Sequence, residues 1–405
     1  MRRLPRSLVL AIVTAFTVAI MVAAMETWMK TYGDGQGDMG HDVLLLGDGG
    51  YLIVGETTSG SGHEAAPRLL LLRLNAAGDV VWEKTYAAGR ASAGAGLLAE
   101  TDGGFIIAGT IQSDDGDDAD ALLLRVDADG NALWWKTIGS SRDEFIHTVR
   151  RTDRGYLLVG DSVDPNDVIA DPGAAGYAGF AGRSNVYVAE ADFDGNEIWS
   201  RRWETDDNVL SGGGAVAVDG GIVILAHILR YPIEDDDILL LKFDRHGDEL
   251  LWSRTWTAGD ASGYDLLATS DGGYLISGVV SFPDDPARAK LDALLIKVDA
   301  TGNEIWSTTY GEPDKIETAH VVTETFDGRY VCAGWQMRDF HTFADDILLA
   351  AFDQDGALLW QDVTPSPAHN LHEALVQHPD GSLVIAGSAA RPGRPFRVQL
   401  IKTDL

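Results

Sequence analysis

Seven times along the chain a tight acidic-glycine turn introduces an apolar strand, and this repeat restricts the fold more than any other feature. The turns are Asp48-Gly49-Gly50, Asp102-Gly103-Gly104, Asp153-Arg154-Gly155, Asp219-Gly220-Gly221, Asp271-Gly272-Gly273, Asp327-Gly328-Arg329 and Asp380-Gly381-Ser382, spaced 54, 51, 66, 52, 56 and 53 residues apart. Regular spacing in this range marks a propeller or a solenoid. Within each period lie about four short β-rich runs separated by turn residues, the make-up of a propeller blade. No repeat carries a sustained i, i+3, i+4, i+7 apolar pattern, which excludes helical solenoids. In the unit from Asp102 to Gly139 the spacing predicts strands over Phe105–Ala108, Ala121–Val126 and Ala132–Ile138. The Asp-Gly-Gly turn is read as a two-residue hairpin needing φ > 0.

A second hairpin recurs as Asn75-Ala76-Ala77-Gly78, Asp127-Ala128-Asp129-Gly130, Asp192-Phe193-Asp194-Gly195, Asp244-Arg245-His246-Gly247, Asp299-Ala300-Thr301-Gly302 and Asp353-Gln354-Asp355-Gly356. A tryptophan follows each: Trp82, Trp134, Trp199, Trp252, Trp306 and Trp360. The last repeat ends at Leu405 without such a strand, and the missing one stands at the other end, as Glu26-Thr27-Trp28-Met29-Lys30-Thr31-Tyr32-Gly33. The expected fold is all-β, a seven-bladed β-propeller whose N-terminal strand completes the last blade and closes the ring, leaving no open sheet edge. The pairs Trp28/Tyr32, Trp82/Tyr86, Trp199/Trp203, Trp252/Trp256 and Trp306/Tyr310 share a sheet face by their even spacing. A position filled in blade after blade is inter-sheet packing rather than a sugar-stacking surface.

Residues 1–25 differ from the rest. Arg2, Arg3 and Arg6 precede an uncharged apolar run from Leu8 to Ala24 that ends in small residues. This reads as a signal peptide, or if uncleaved as a membrane anchor, leaving 26–405 as the propeller domain outside the cytoplasm. The one cysteine, Cys332, lies in an apolar strand and reads as a small buried side chain. Net charge is −31, from 46 Asp and 16 Glu against 23 Arg and 8 Lys, and loss of Arg2, Arg3 and Arg6 takes it from −31 to −34. Such a chain has no basic stripe for phosphates, so nucleic acid is excluded as a partner. Abundant Asp with scarce Lys fits a halophilic protein, whose dense like charge salt screens.

In a four-stranded antiparallel blade the two short turns share one face, and the second-to-third loops share the opposite face. Those loops are read as Glu56–Arg68, Thr110–Asp120, Asp161–Ser184, His227–Asp236, Val279–Leu291 and Trp335–Asp345. Variable loops on a rigid scaffold carry function. Their aromatic residues Trp335, Phe340, Phe343, Tyr177 and Phe180 are the candidate binding residues. The innermost strands bring a second set towards the axis: His41, Asp42, Glu144, His147, Asp265, Glu317, His320, His372 and Glu373. Paired carboxylates in a funnel could do acid–base chemistry, but no zinc-type spacing appears, so no metal is expected. The Asp114–Asp120 cluster and the Asp-x-Asp-Gly turns read as a solvated loop and as turns, because calcium needs more oxygen ligands than they supply.

The pieces DGGYLIVG, DALLLRVDADGN and GNEIWSTTYG, with Val298-Asp299-Ala300-Thr301-Gly302-Asn303-Glu304-Ile305-Trp306 as the strand-turn-strand signature, resemble secreted propellers of the pyrroloquinoline-quinone-like repeat superfamily. The resemblance implies the propeller fold. It does not imply the cofactor: quinone dehydrogenases of that superfamily have eight blades, a vicinal cysteine pair and a calcium site, against seven repeats and one cysteine here. No cofactor is expected. The expectation is an exported monomeric module, without catalysis, that binds a protein or polysaccharide through its loop face and touches membrane only through an uncleaved N-terminus. The alternative is a carbohydrate-active hydrolase or lyase with carboxylates at the funnel.

Overall fold

The computed structural model describes residues 27–33, 37–58, 66–114, 118–168, 182–204, 208–229, 236–257, 259–282, 291–312, 315–337 and 345–404. Seven antiparallel sheets follow one another along the chain. Blade 1 consists of Asp38–Leu45, Tyr51–Thr58, Pro67–Leu74 and Val80–Tyr86, and blades 2 to 6 repeat that order from the axis outward. Blade 7 takes His369–Gln377, Leu383–Ala390 and Arg397–Thr403, then closes with the N-terminal strand Trp28–Tyr32, which pairs Trp28 with Lys402 and Tyr32 with Val398. The expected seven-bladed ring and its closure are what the chain forms. Residues 1–25 lie outside the described residues.

The first hairpin has a three-residue loop in six blades rather than the expected two residues, and the two-residue loop only in blade 3, where Thr152 N donates to Gly155 O. Leu46 N donates to Gly50 O and Gly49 N to Leu46 O, with only Gly49 at positive φ (80°). This is a tight turn followed by one left-handed residue, which glycine supplies without steric cost. The turn aspartate binds the loop from its side chain and meets a cation of the third strand. Asp102 accepts from Gly104 N (3.1 Å) and pairs with Arg125 (2.6 Å); Asp219 pairs with Lys242 (2.6 Å) and Asp271 with Lys297 (2.8 Å). In so acidic a chain the scarce cations are therefore spent on pinning the turns.

The tryptophans hold blade to blade. A Cβ on Gly78 would fall 2.6 Å from the Trp28 ring, one on Gly130 2.7 Å from Trp82, and one on Gly247 2.8 Å from Trp199. In six blades the outer-strand ring thus lies against the second hairpin of the following blade, where glycine leaves room. The residue two further on adds a cation over the ring, Lys30 on Trp28 at 5.4 Å and Arg254 on Trp252 at 5.3 Å. Two residues beyond that, Tyr32 and Tyr86 donate to Gly78 O (2.8 Å) and Gly130 O (2.6 Å). The core lies in the walls between neighbouring sheets, as in the cluster of Val54, Leu69, Leu71, Ile107 and Leu122 between blades 1 and 2.

Candidate functional site

Where the blades meet the axis, every innermost strand carries one residue too many. In blade 1 the ladder runs Gly40↔Gly55 and then Asp42↔Val54, leaving His41 unmatched. The same slip leaves out Ala95, His147, Gly212, Tyr264 and Glu373 in blades 2, 3, 4, 5 and 7. In blade 6 three residues, Thr318 to His320, oppose Trp335 and Gly334, so His320 is the extra one. Such bulges re-aim a side chain. Their cause lies on the second strand: a Cβ on Gly55 would sit 1.8 Å from Met39 O, and one on Gly160 1.9 Å from Phe145 O. Blade 4 has Ala226 at that position, and its inner strand is instead Gly212-Gly213-Gly214, with Gly213 at φ 149°.

All seven bulged residues line one axial cavity of about 580 Å³. It also takes in Asp42, Asp265 and His372 from the expected set, and Arg150 and His227, which the sequence reading missed. A second cavity of about 480 Å³ shares His41, Ala95 and His147 and is bounded by Glu56, Pro67, Thr110 and Ala119, at the loop end of blades 1 and 2. The axial cavity is therefore continuous with the loop face.

Two expected funnel residues are elsewhere. Glu144 is fully buried, accepting from Ser140 Oγ (2.7 Å) and Ser162 Oγ (3.2 Å). Glu317 is fully buried and accepts from Gln336 Nε2 (2.8 Å). Each lies three residues before its bulge, on the strand face turned into the blade wall.

The cavity carboxylates differ in what they do. Asp42 accepts from Val43 N (2.7 Å) and, across the blade boundary, from Leu97 N (2.8 Å). Asp265 repeats this with Leu266 N (2.8 Å) and Val322 N (3.0 Å). Burial pushes Asp42 up to about 6 despite these donors, and raises Asp265. Both are blade ties. Glu373 is raised to about 6 by burial, with the His147 charge opposing, and accepts no hydrogen bond among the described residues.

The histidines divide likewise. His147 Nε2 lies 2.9 Å from Asp161 Oδ2, and Asp161 also accepts from Ser211 N (2.7 Å). Burial opposes the charged imidazole, but the Asp161 charge and hydrogen bond outweigh it and raise the His147 pKa. Burial lowers His41, His227 and His372 to about 4 and His320 to about 3. His372 is 1% exposed, and neither of its ring nitrogens reaches a partner in hydrogen-bond geometry. Among the described residues no three His, Cys, Asp or Glu form a group that could hold a metal ion.

Trp335, expected in a loop, is on the strand Tyr330–Met337, pairs with Ile347 and is half-buried. Its ring is 6.1 Å from His320, which stacks on Tyr264 at 4.5 Å and 24°. Phe340, Phe343, Tyr177 and Phe180 lie outside the described residues. The loops also start later than expected. Glu56, Thr110, Asp161, His227, Val279 and Trp335 all continue their strands past the second-strand glycine or alanine. That position was the available signal: the residue after this glycine or alanine reaches the cavity as Glu56, Thr110 and His227, and Asp161 there holds His147.

A family model described as outer membrane protein assembly factor BamB matches residues 235–398. No curated protein is significantly similar in sequence. Among solved structures, puromycin hydrolase is 15% identical with a TM-score of 0.54, over 90% of this chain and 52% of that one, so this chain spans about half its length. Hydrazine synthase of Kuenenia stuttgartiensis is 11% identical over 89% of this chain and 94% of that one, with a TM-score of 0.53. A Dyadobacter fermentans protein of unknown function is 9% identical over 93% and 98%, with a TM-score of 0.51. At such identities the likeness is one of fold. The chain is, in sequence and fold, similar to the pyrroloquinoline-quinone-like repeat propellers that its repeats resemble.

Proposed function

We propose that the protein is an exported, acidic, non-catalytic binding module that engages a protein or polysaccharide partner through its loop face. The observation that carries this reading is the use of the axial carboxylates. Of Asp42, Glu144, Asp265, Glu317 and Glu373, the first four are hydrogen-bonded into the scaffold. Glycoside hydrolysis by the usual route needs two carboxylates free to exchange protons with substrate; of these five only Glu373 accepts no hydrogen bond among the described residues, and Glu56 lies in the adjoining cavity. Export rests on residues 1–25, and the family model bearing an outer-membrane assembly factor's name accords with a place outside the cytoplasm. The test is a glycan array and a pull-down with residues 26–405 at molar salt. Binding that Tyr177→Ala, Phe340→Ala and Phe343→Ala weaken supports the reading; binding lost instead by changes at the Asp-Gly-Gly face overturns it. A hydrolase or lyase reading draws on Glu373 facing the His147–Asp161 pair, and turnover abolished by Glu373→Gln would replace binding with catalysis.

A further inference from the structure

The seven bulges use one backbone device to place residues of five kinds, and their arrangement around the axis is lopsided. Tyr264, His320, Glu373 and His41 are consecutive and bulky, whereas Ala95 and Gly212 flank His147 and leave it room. The cavity is thus a chamber with a furnished wall and open space in front of it, not a plugged core. At about 580 Å³ it lies in the range of small-molecule sites.

Its charges cancel. Asp42 and Asp265 are tied to amides and lie within the field of Arg150, and Glu373 lies within the field of His147. A cation would find Arg150 and His147 there, and an anion would find three carboxylates. Neither gains from entering, so the occupant the cavity favours is neutral. Its polar surface alternates donors and acceptors: His41, His227 and His320 are neutral at pH 7, each offering one of each. Among the described residues Glu373 adds an acceptor without a partner, and the buried His227 Nδ1 is unpaired in the cavity wall. Buried polar atoms of this kind are satisfied by water or by a ligand. Tyr264 and His320 form a stacked aromatic pair in the cavity lining, with Trp335 against His320 outside that lining.

We propose that this axial chamber is a binding site for a neutral polyhydroxylated ring, a sugar residue, held by Glu373 and the imidazoles at its hydroxyls and by the Tyr264–His320 pair at its C–H face. A sugar ring has this combination of dense hydroxyls and one apolar face. The site is separate from the loop-face reading and stands or falls without it.

Saturation-transfer NMR and tryptophan fluorescence on residues 26–405, with D-glucose, D-galactose, D-xylose and trehalose at tens of millimolar, test the proposal against choline and acetate. At least one sugar is expected to bind with a dissociation constant of about 1 mM or tighter. Glu373→Gln should weaken it about tenfold, by removing a charged acceptor. Ala95→Phe, which fills the open side, should abolish it, whereas Tyr177→Ala and Phe340→Ala should leave it unchanged. Should Ala95→Phe fail to fold, Glu373→Gln alone decides, read together with a melting curve matching the parent. Binding of choline or acetate in place of the sugars, no sugar binding, or sugar binding indifferent to Glu373→Gln each overturns the proposal.

Discussion

The outer rim and the inner bulges repeat with the same period, yet they differ in what is repeated. At the rim the side chains recur: a tryptophan in every blade and, in four of the seven, a cation two residues on and an aromatic two beyond that, seated on the next blade's hairpin. At the bulge only the backbone recurs. Its side chains are His41, Ala95, His147, Gly212, Tyr264, His320 and Glu373, no two neighbours alike. A side chain repeated in every blade is doing the same packing job in each. A fixed backbone position whose side chain varies around the ring builds an asymmetric surface, which a ligand needs and a scaffold does not. Stability therefore lives at the rim and in the glycines behind the bulges, and specificity lives in the bulged side chains.

Removing the closure should have the largest effect. Without residues 26–32 the strand Arg397–Thr403 becomes an exposed edge, and Trp28 and Tyr32 leave the Gly78 hairpin. The loss should reach about 5 kcal/mol, comparable with a whole domain's stability, and show as a lost or broadened thermal transition. An unchanged melting temperature would refute the closure. Next comes the backbone of the bulge itself. Gly109→Ala puts a methyl 2.0 Å from Ala93 O, between two backbones that cannot yield cheaply. It should cost about 3 kcal/mol by denaturant melts; a neutral result would mean the bulges are not glycine-dependent.

Acid should probe the wall behind the bulges. His372 has its pKa lowered to about 4 in the folded chain, against about 6.5 unfolded. As pH falls, the unfolded chain takes the proton first, so the stability tied to neutral His372 is present above about 6.5 and is lost towards 4. The loss is on the order of 3 kcal/mol at most. Asp42 and Glu373, raised to about 6, act in the opposite sense over the same window. The measurement is therefore a difference: the stability of the parent minus that of His372→Leu should fall between pH 6.5 and 4. A flat difference would show that His372 titrates normally.

At the rim, Trp82→Ala should cost about 2 kcal/mol, less than for a fully buried indole, because the ring is half-buried over Gly130. Trp360 offers the internal control. In blade 7 no hairpin joins Arg397–Thr403 to Trp28–Tyr32 among the described residues, so Trp360→Ala should cost under about 1 kcal/mol. Equal losses would mean that the rim tryptophans stabilise their own blades and not the junctions.

The ring, its closure and the packing role of the tryptophans were legible because each is written as a period in the sequence. The cavity was only half legible, and the bulge is the reason. A strand read at period two cannot turn both Glu144 and His147 inward, since they are three apart. The extra residue at His147 shifts the face, sending His147 to the axis and leaving Glu144 in the wall. Glu317 and His320 repeat the case. The second miss shares that cause. Gly55, Gly109, Gly160 and Gly334 looked like strand ends, so Glu56, Thr110, Asp161 and Trp335 were read as loop. They are glycine because the bulge of the inner strand brings a carbonyl within about 2 Å of where a Cβ would be. A glycine marking close approach looks the same in one dimension as a glycine marking a turn.

The smallest expected effect on stability is the sharpest test of the comparison. If the bulged side chains serve a ligand and not the fold, they can be removed at little cost. Glu373 is exposed to the cavity and accepts no hydrogen bond among the described residues, and His41 faces the same space. His41→Ala should change stability by no more than about 0.5 kcal/mol, as surface substitutions do, and Glu373→Gln should not lower it, since it removes a carboxylate whose pKa burial raises. Gly109→Ala, at the bulge of the neighbouring blade, should cost several times more. His147→Ala should differ from both, since it leaves Asp161 with one donor fewer in a buried setting, at about 1–2 kcal/mol. Denaturant melts of the three variants at pH 7 give the order directly. A large loss at His41 or Glu373 would mean that the bulge ring is a structural girdle, and that side-chain variety within it reflects seven different packing solutions instead of one asymmetric site.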